Sequence, residues 1–312
     1  MIDRIHRFRP TSISFLALMS MIVASCGSSA VSLPPPSTTQ RLSTPTSTSS
    51  FEATSTTFIS RPQGQRVSAK WVLTSNVLKV IAKNQSIYPK IASEGVIEVT
   101  PIDASPLLGV GVVPAVKFTS VKSLVQAIQS GALPTWAKAV IYDPEYWALT
   151  PTTEQSDPVT ASSMASVAAR QAGLIYVVTP ALDLTKALAP NTAPNGQSLI
   201  EMGLYGKLAK AADVIVIQSQ SLEGNLPAYS SLLSQSSSQA RSANPNIDVL
   251  GGLSTNLRSA SLGLINLTSA YSSGLTQVNG YWFNVPGKSI QCPTCSQANF
   301  QLAMSFFEAA LT

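Results

Sequence analysis

Short apolar runs rich in β-branched residues recur along the second part of the chain, and amphipathic segments separate the later ones. Eight runs are candidate strands: residues 71–74, 96–100, 115–118, 139–142, 174–178, 214–217, 247–250 and 280–283. Near-continuous apolar strands are typical of parallel sheets that are buried on both faces. The alternation therefore predicts an α/β fold with right-handed crossovers.

Between the later strands, apolar residues recur every three or four positions, as they do on one face of an amphipathic helix, and this supports the prediction. The apolar residues with this spacing include Val121, Leu124, Val125 and Ile128, then Met164, Val167 and Ala168, then Leu204, Leu208 and Ala211, and last Phe300, Met304, Phe307 and Leu311. Ser120 and Asn299 are expected to begin two of these helices.

Eight strands predict a single (β/α)8 barrel. Residues 100–113 are rich in proline and glycine and leave little room for a helix, so an irregular early strand is expected. The alternative is a doubly wound open parallel sheet. A glycine-rich phosphate loop after the first strand would favour it, and the sequence has none there.

The N-terminus has the three parts of a secretory signal. Arg4, Arg7 and Arg9 form a cationic segment, and the mostly apolar residues 13–24 are shorter than the ~20 that a membrane-spanning helix needs. Val23-Ala24-Ser25-Cys26 follows, and it resembles the lipobox of bacterial lipoproteins. The resemblance implies that residues 1–25 are a signal peptide and that Cys26 carries lipid.

Residues 26–66 are rich in Ser, Thr and Pro, which cannot bury enough apolar surface to offset the entropy of ordering. We therefore expect a lipidated, disordered tether at 26–66 and one barrel-like domain at 67–312. The expected location is extracytoplasmic, with the lipid anchored in the outer face of the cell membrane. We expect a monomer.

Charge and histidine content exclude several classes of function. The full chain carries +5, but three arginines and one aspartate leave with the signal, and the remaining Lys and Arg are scattered. No basic patch for nucleic acid is therefore expected. The one histidine, His6, lies in the signal, so the mature chain has no Ser-His-Asp triad and no histidine-ligated zinc. We expect no cofactor and no metal.

Two cysteines remain after Cys26, in the sequence Cys292-Pro293-Thr294-Cys295. A redox dithiol usually begins a helix after an early strand, whereas this pair lies near the C-terminus. A small structural disulfide is the favoured interpretation, and a redox pair is the alternative.

Polar and aromatic residues follow the carboxyl ends of the predicted strands. In a (β/α)8 barrel, the active site lies at these ends. Asp143 and Glu145 follow the fourth strand and are the candidate catalytic residues, because alternate residues leaving one strand point the same way. Carboxylates, amides and indoles at one rim suit a carbohydrate site. The candidate substrate-binding residues are Trp147, Asp183, Gln218, Gln220, Glu223, Asn256, Trp282 and Asn284.

Asp143-Pro144-Glu145 is similar to the end of the Asp-x-x-Asp-x-Asp-x-Glu motif of family 18 chitinases. That resemblance implies that Glu145 is the general acid and that Asp143 orients the acetamido group of the substrate. Lys138 and Ile141 replace the first two acids of the motif.

A broader resemblance covers most of the folded region. It is to a group of uncharacterised secreted actinobacterial proteins, and it implies export and a single barrel-like domain. The segments that carry it are 142–145, 150–158, 218–220, 252–256 and 282–286, followed by Cys-Pro-x-Cys.

Two functions remain open from the sequence. The first is a glycoside hydrolase-like enzyme acting on cell-envelope or environmental polysaccharide, peptidoglycan included, with Glu145 as acid and Asp183 or Glu223 as base or nucleophile. The second is a non-catalytic lipoprotein that binds carbohydrate or cell envelope on a degenerate barrel.

Overall fold

The computed structural model describes residues 69–193, 196–256, 263–289, 295 and 297–311. Eight parallel strands pair in chain order, and the first also pairs with the last, so the sheet is a closed barrel. The strands are β1 (Trp71–Thr74), β2 (Val96–Val99), β3 (Val112–Phe118), β4 (Ala139–Tyr142), β5 (Ile175–Val178), β6 (Val214–Ile217), β7 (Asp248–Ser254) and β8 (Gly280–Asn284). The predicted TIM-type barrel is confirmed, and the open-sheet alternative is wrong.

Helices cover the outside of the barrel. They are α1 (Ser75–Ile81), α2 (Tyr88–Ser93), α3 (Val121–Gln129), α4 (Thr152–Ser156), α5 (Pro158–Gln171), α6 (Thr185–Leu188), α7 (Gln197–Glu201), α8 (Leu204–Ala209), α9 (Leu226–Ala243), α10 (Leu264–Gly274) and α11 (Phe300–Ala310). The side chains of Ser120 and Asn299 accept hydrogen bonds from the backbone N–H of Ser123 and Leu302, so the two predicted helix starts are confirmed.

The strands are apolar on both faces because they separate two cores. The larger core lies between the barrel and the helices. The smaller core fills the barrel interior with side chains that alternate along the strands, mainly Val72, Ile97, Val99, Ala115, Ala139, Ile141, Val177, Val214, Val216 and Leu250. Both faces of each strand are therefore dry up to the strand ends, where polar residues begin.

The prediction that the seventh strand ends near residue 250 is wrong, because β7 continues through two glycines to Ser254. A Cβ atom on Gly252 would lie 2.2 Å from Oε1 of Gln220. The missing side chain at Gly252 thus makes room for the Gln220 amide beside the strand.

No helix lies between β2 and β3, as the proline- and glycine-rich sequence predicts. The connection is held by Glu98, which is buried in β2 and accepts the backbone N–H of Leu107 with both carboxylate oxygens, at 2.9 and 2.8 Å. Gly111 then turns the chain into β3 with a φ of 79°.

Gly111→Ala is expected to be far more destabilising than Gly131→Ala. Both glycines have a positive φ, which costs an alanine ~1–2 kcal/mol. At Gly111 the new Cβ would also lie 2.1 Å from the carbonyl oxygen of Ala92, whereas at Gly131 it meets nothing within 4 Å. Urea unfolding should show a loss larger by ~1–3 kcal/mol at Gly111. Equal losses at the two sites would contradict the close approach.

Several predictions concern residues outside the described ranges. They are the signal peptide at 1–25, the lipidated Cys26, the tether at 26–66 and Cys292 of the predicted disulfide. They stay predictions. Among the described residues, no helix is both long enough and apolar enough to cross a membrane.

Candidate active site

Four polar side chains meet at the mouth of the barrel, at the carboxyl ends of its middle strands. Each comes two residues after a side chain of the interior core, so strand alternation points it inward. They are Lys117 in β3, Asp143 after β4, Thr179 after β5 and Gln218 after β6.

Asp143 is the centre of this group. Its Oδ2 accepts from Nζ of Lys117 at 2.7 Å, and its Oδ1 accepts from Nε2 of Gln218 at 2.9 Å. The Asp143 side chain is only 4 % exposed. Both of its oxygens are therefore engaged with protein groups in a nearly dry position.

A chain of hydrogen bonds continues from Asp143 across the mouth. Gln218 also donates to the carbonyl oxygen and Oγ1 of Thr179, at 2.9 and 3.1 Å. Oε1 of Gln218 accepts from Nε2 of Gln220 at 3.3 Å. Gln218 and Gln220, both predicted as substrate-binding residues, thus hold each other and Asp143 in place.

Glu145 is half-buried beside this chain of hydrogen bonds, two residues after Asp143 in the sequence. Burial is the main cause that raises the pKa of Glu145 to about 8, and the carboxylates of Asp143 and Asp183 raise it further, while Lys117 lowers it. Glu145 is consequently a protonated acid near neutral pH.

Lys117 was absent from the sequence-based set of site residues. Burial acts to lower its pKa, but the charge and hydrogen bond of Asp143, with the charge of Glu145, raise the pKa above its ordinary value. Lys117 is therefore a permanent cation and not a neutral amine nucleophile. Its position two residues after the inward-facing Ala115 is the sequence signal that could have identified it.

The loop after β4 is folded around Thr150. Oγ1 of Thr150 accepts from the indole N–H of Trp147 at 2.9 Å and from the backbone N–H of Glu145 at 3.2 Å. Nε2 of Gln155 donates to the carbonyl oxygens of Trp147 and Thr150, at 2.8 and 2.7 Å. These bonds fix where Glu145 and the half-buried Trp147 lie.

Asp183 connects this loop to the one after β5. Its Oδ1 accepts from the backbone N–H of Tyr146 at 3.0 Å, and no other hydrogen bond among the described residues involves its carboxylate. Lys186 lies over the ring of Tyr146, with Nζ 5.4 Å from the ring centroid. Asp183 is half-buried, so one of its oxygens remains available to a ligand.

Glu223 lies deeper than the sequence suggested. It is 1 % exposed, and its Oε1 accepts the backbone N–H of Ser254. Its Oε2 has no partner within the described part of the chain. Burial raises the pKa of Glu223 to about 9, and the bond from Ser254 opposes that effect. A neutral, buried acid results.

The remaining predicted residues lie on the β7–β8 side. Trp282 is half-buried and packs against the interior core. Asn284 pairs with Ser254 in the last register of the sheet, and its carbonyl accepts the backbone N–H of Thr255. Asn256 is exposed, and its Nδ2 lies 3.6 Å from Sγ of the buried Cys295.

A concavity of about 730 Å³ lies on the outer wall between α3 and α5. Glu154 is a titratable group in its lining, and its carboxylate accepts from the hydroxyl of Tyr142 and the backbone N–H of Val121. This carboxylate fastens the helices to β4. Within the described ranges, no three Asp, Glu, His or Cys residues cluster as a metal site would require. The barrel mouth is therefore the candidate site.

Comparisons with protein-family models and with curated proteins found no match to this chain. Solved structures that are similar to it include two enzymes. Triosephosphate isomerase from Bartonella henselae is 13% identical, with a TM-score of 0.38 over 69% of this chain and 92% of that chain. Thiamine phosphate pyrophosphorylase from Pyrococcus furiosus is 14% identical, with a TM-score of 0.23 over 79% and 99%. At these scores neither carries an argument, and the barrel assignment rests on the strand pairing itself.

Proposed function

We propose that the chain is an exported, membrane-anchored lipoprotein whose barrel hydrolyses glycosidic bonds in cell-envelope or environmental polysaccharide. The observation that carries the proposal is the position of Glu145, half-buried after β4 and two residues from the buried Asp143, where burial raises its pKa to about 8. A leaving glycosidic oxygen needs a proton as its bond to the anomeric carbon breaks. A carboxylic acid that is still protonated near neutral pH can supply that proton.

In the proposed step, Glu145 donates its proton to the leaving oxygen. The bond between that oxygen and the anomeric carbon breaks, its electron pair stays with the oxygen, and Glu145 becomes a carboxylate. The sugar develops positive charge as the bond breaks. Fixed negative charge at the mouth lowers the energy of this state.

Asp183 is the second carboxylate of the proposal, as the group that activates water or attacks the sugar. It lies near enough for its charge to raise the pKa of Glu145, and one of its oxygens is available. Glu223 suits neither role, because a buried group with a pKa of about 9 is uncharged at neutral pH.

The second candidate function is non-catalytic binding of a carbohydrate or a cell-envelope polymer. It is favoured by the half-buried rings of Trp147 and Trp282, since aromatic faces with a few polar groups are typical of ligand sites. In that case the proton on Glu145 serves no reaction.

Release of reducing ends from a panel of polysaccharides, chitin and peptidoglycan included, tests the proposal. The wild-type protein is compared with Glu145→Gln and Asp183→Asn. Hydrolysis of one polymer by the wild type, lost in both variants, is the expected result. Binding to a polymer without turnover, unchanged in Glu145→Gln, would replace the enzyme with the binding protein.

A further inference from the structure

Both oxygens of Asp143 already accept hydrogen bonds from protein groups, and its side chain is almost completely buried, so little of it is open to a substrate. Lys117 holds Oδ2 at 2.7 Å, Gln218 holds Oδ1 at 2.9 Å, and the side chain is 4 % exposed. A group that orients a substrate must present a polar atom to it. Asp143 presents its charge instead, and the nearest carboxyl group along the polypeptide is that of Glu145, two residues further on.

We propose that Lys117 is a positioning residue that holds Asp143 as a fixed negative charge beside Glu145, so that Asp143 acts on the reaction through Glu145 and not through contact with substrate. This inference rests on the proposed function of Glu145. It departs from the role that the chitinase-like motif implies for Asp143.

The surroundings of Lys117 explain why it stays in this role. Its ammonium group lies in a half-buried position in β3, and its ion-pair partner Asp143 follows the neighbouring strand β4. The carboxylate of Asp143, bonded to it at 2.7 Å, favours its charged form.

The charged groups that affect Glu145 come from three loops or strands: Lys117 in β3, Asp143 after β4 and Asp183 after β5. Lys117 is the one cation among them, and it opposes the two carboxylates. Loss of the Lys117 charge should therefore make Glu145 hold its proton more tightly. Loss of Lys117 and Asp143 together should have the opposite effect, because Asp143 acts on Glu145 more strongly than Lys117 does.

The test is the titration of the Glu145 carboxyl carbon by NMR in protein labelled with ¹³C-glutamate, with Glu145→Gln used to assign the signal. Lys117→Met should raise the titration midpoint by about one pH unit or more. Lys117→Arg keeps the charge and should restore the wild-type midpoint. Lys117→Met with Asp143→Asn should lower the midpoint below that of the wild type.

The double variant removes both charges, so it stays informative if Lys117→Met alone leaves Asp143 buried without its ion-pair partner and fails to fold. An unchanged midpoint in Lys117→Met, or in the double variant, would overturn the inference. Since the titration needs no substrate, this result is distinct from an absence of turnover, which would count against the proposed hydrolase and not against the positioning role.

Discussion

Glu145→Gln is expected to lower kcat on the responsive polysaccharide by ~10²–10⁴-fold, the range that general acid catalysis contributes. The amide has the shape of the carboxyl group but no proton to give to the leaving oxygen. Substrate contacts elsewhere at the mouth are unchanged, so KM should stay close to its wild-type value. Initial rates of reducing-end release measure both quantities.

Glu145→Asp is the matched control for this variant. It keeps an acid at the same position but withdraws it by one methylene, so a rate between those of the wild type and Glu145→Gln is expected. Gln and Asp variants that both keep wild-type rates would show that Glu145 is not the acid. Circular dichroism of each variant excludes unfolding as the cause of a lost rate.

Trp71→Ala is expected to destabilise the barrel by ~3–5 kcal/mol. Trp71 is fully buried, and its ring lies 5.9 Å from that of Tyr271 and 5.2 Å from that of Phe307, measured between centroids. Its indole N–H donates to Oε2 of Glu94 at 2.7 Å. Alanine would leave a cavity where β1 closes the barrel against β8, and the Tm should fall by about 10 °C.

Trp71→Phe separates packing from the hydrogen bond. It keeps an aromatic ring in the cluster and loses the bond to Glu94, so a smaller loss than that of Trp71→Ala is expected. Thermal unfolding followed by circular dichroism compares the two variants. A Tm for Trp71→Ala within 2 °C of the wild type corresponds to a loss of stability below roughly 1 kcal/mol. That result would contradict the importance of the aromatic contacts of Trp71 for closing the barrel.

The barrel could be predicted because most of its strand residues are apolar and buried. Runs such as 139–142 and 214–217 contain no polar interruption, and their bounds agree with β4 and β6. Strand ends next to glycine could not be placed in the same way. At Gly252 the deciding fact is the continued pairing of β7 with β8, where Leu253 lies opposite Phe283, and this pairing is not visible in local sequence.

The site was predicted less completely than the fold. Asp143, Glu145 and Gln218 follow apolar runs directly, so the sequence places them at the mouth. Lys117 was missed because it lies inside the run 115–118 and not after it. Its inward direction depends on the phase of alternation, and its charge is stable there only because Asp143 lies across the neighbouring strand.

Glu223 shows the opposite error, because the sequence predicted it as a substrate-binding residue although it is buried. It follows β6 in a polar segment, and nothing local distinguishes it from Asp183. The difference lies in depth: Glu223 is 1 % exposed and bonded to the backbone of Ser254, whereas Asp183 is half-buried. Burial at this depth raises the pKa of Glu223 to about 9, and packing between distant segments sets the depth.

The pH dependence of kcat/KM on the responsive polysaccharide tests the central claim most directly. Activity needs the protonated form of Glu145, whose pKa is raised to about 8, so the rate should hold through neutral pH and fall tenfold per unit above about pH 8. An exposed glutamic acid would lose its proton near ~4.3. A decline that begins near pH 5, or a rate that is still level at pH 10, would contradict the account.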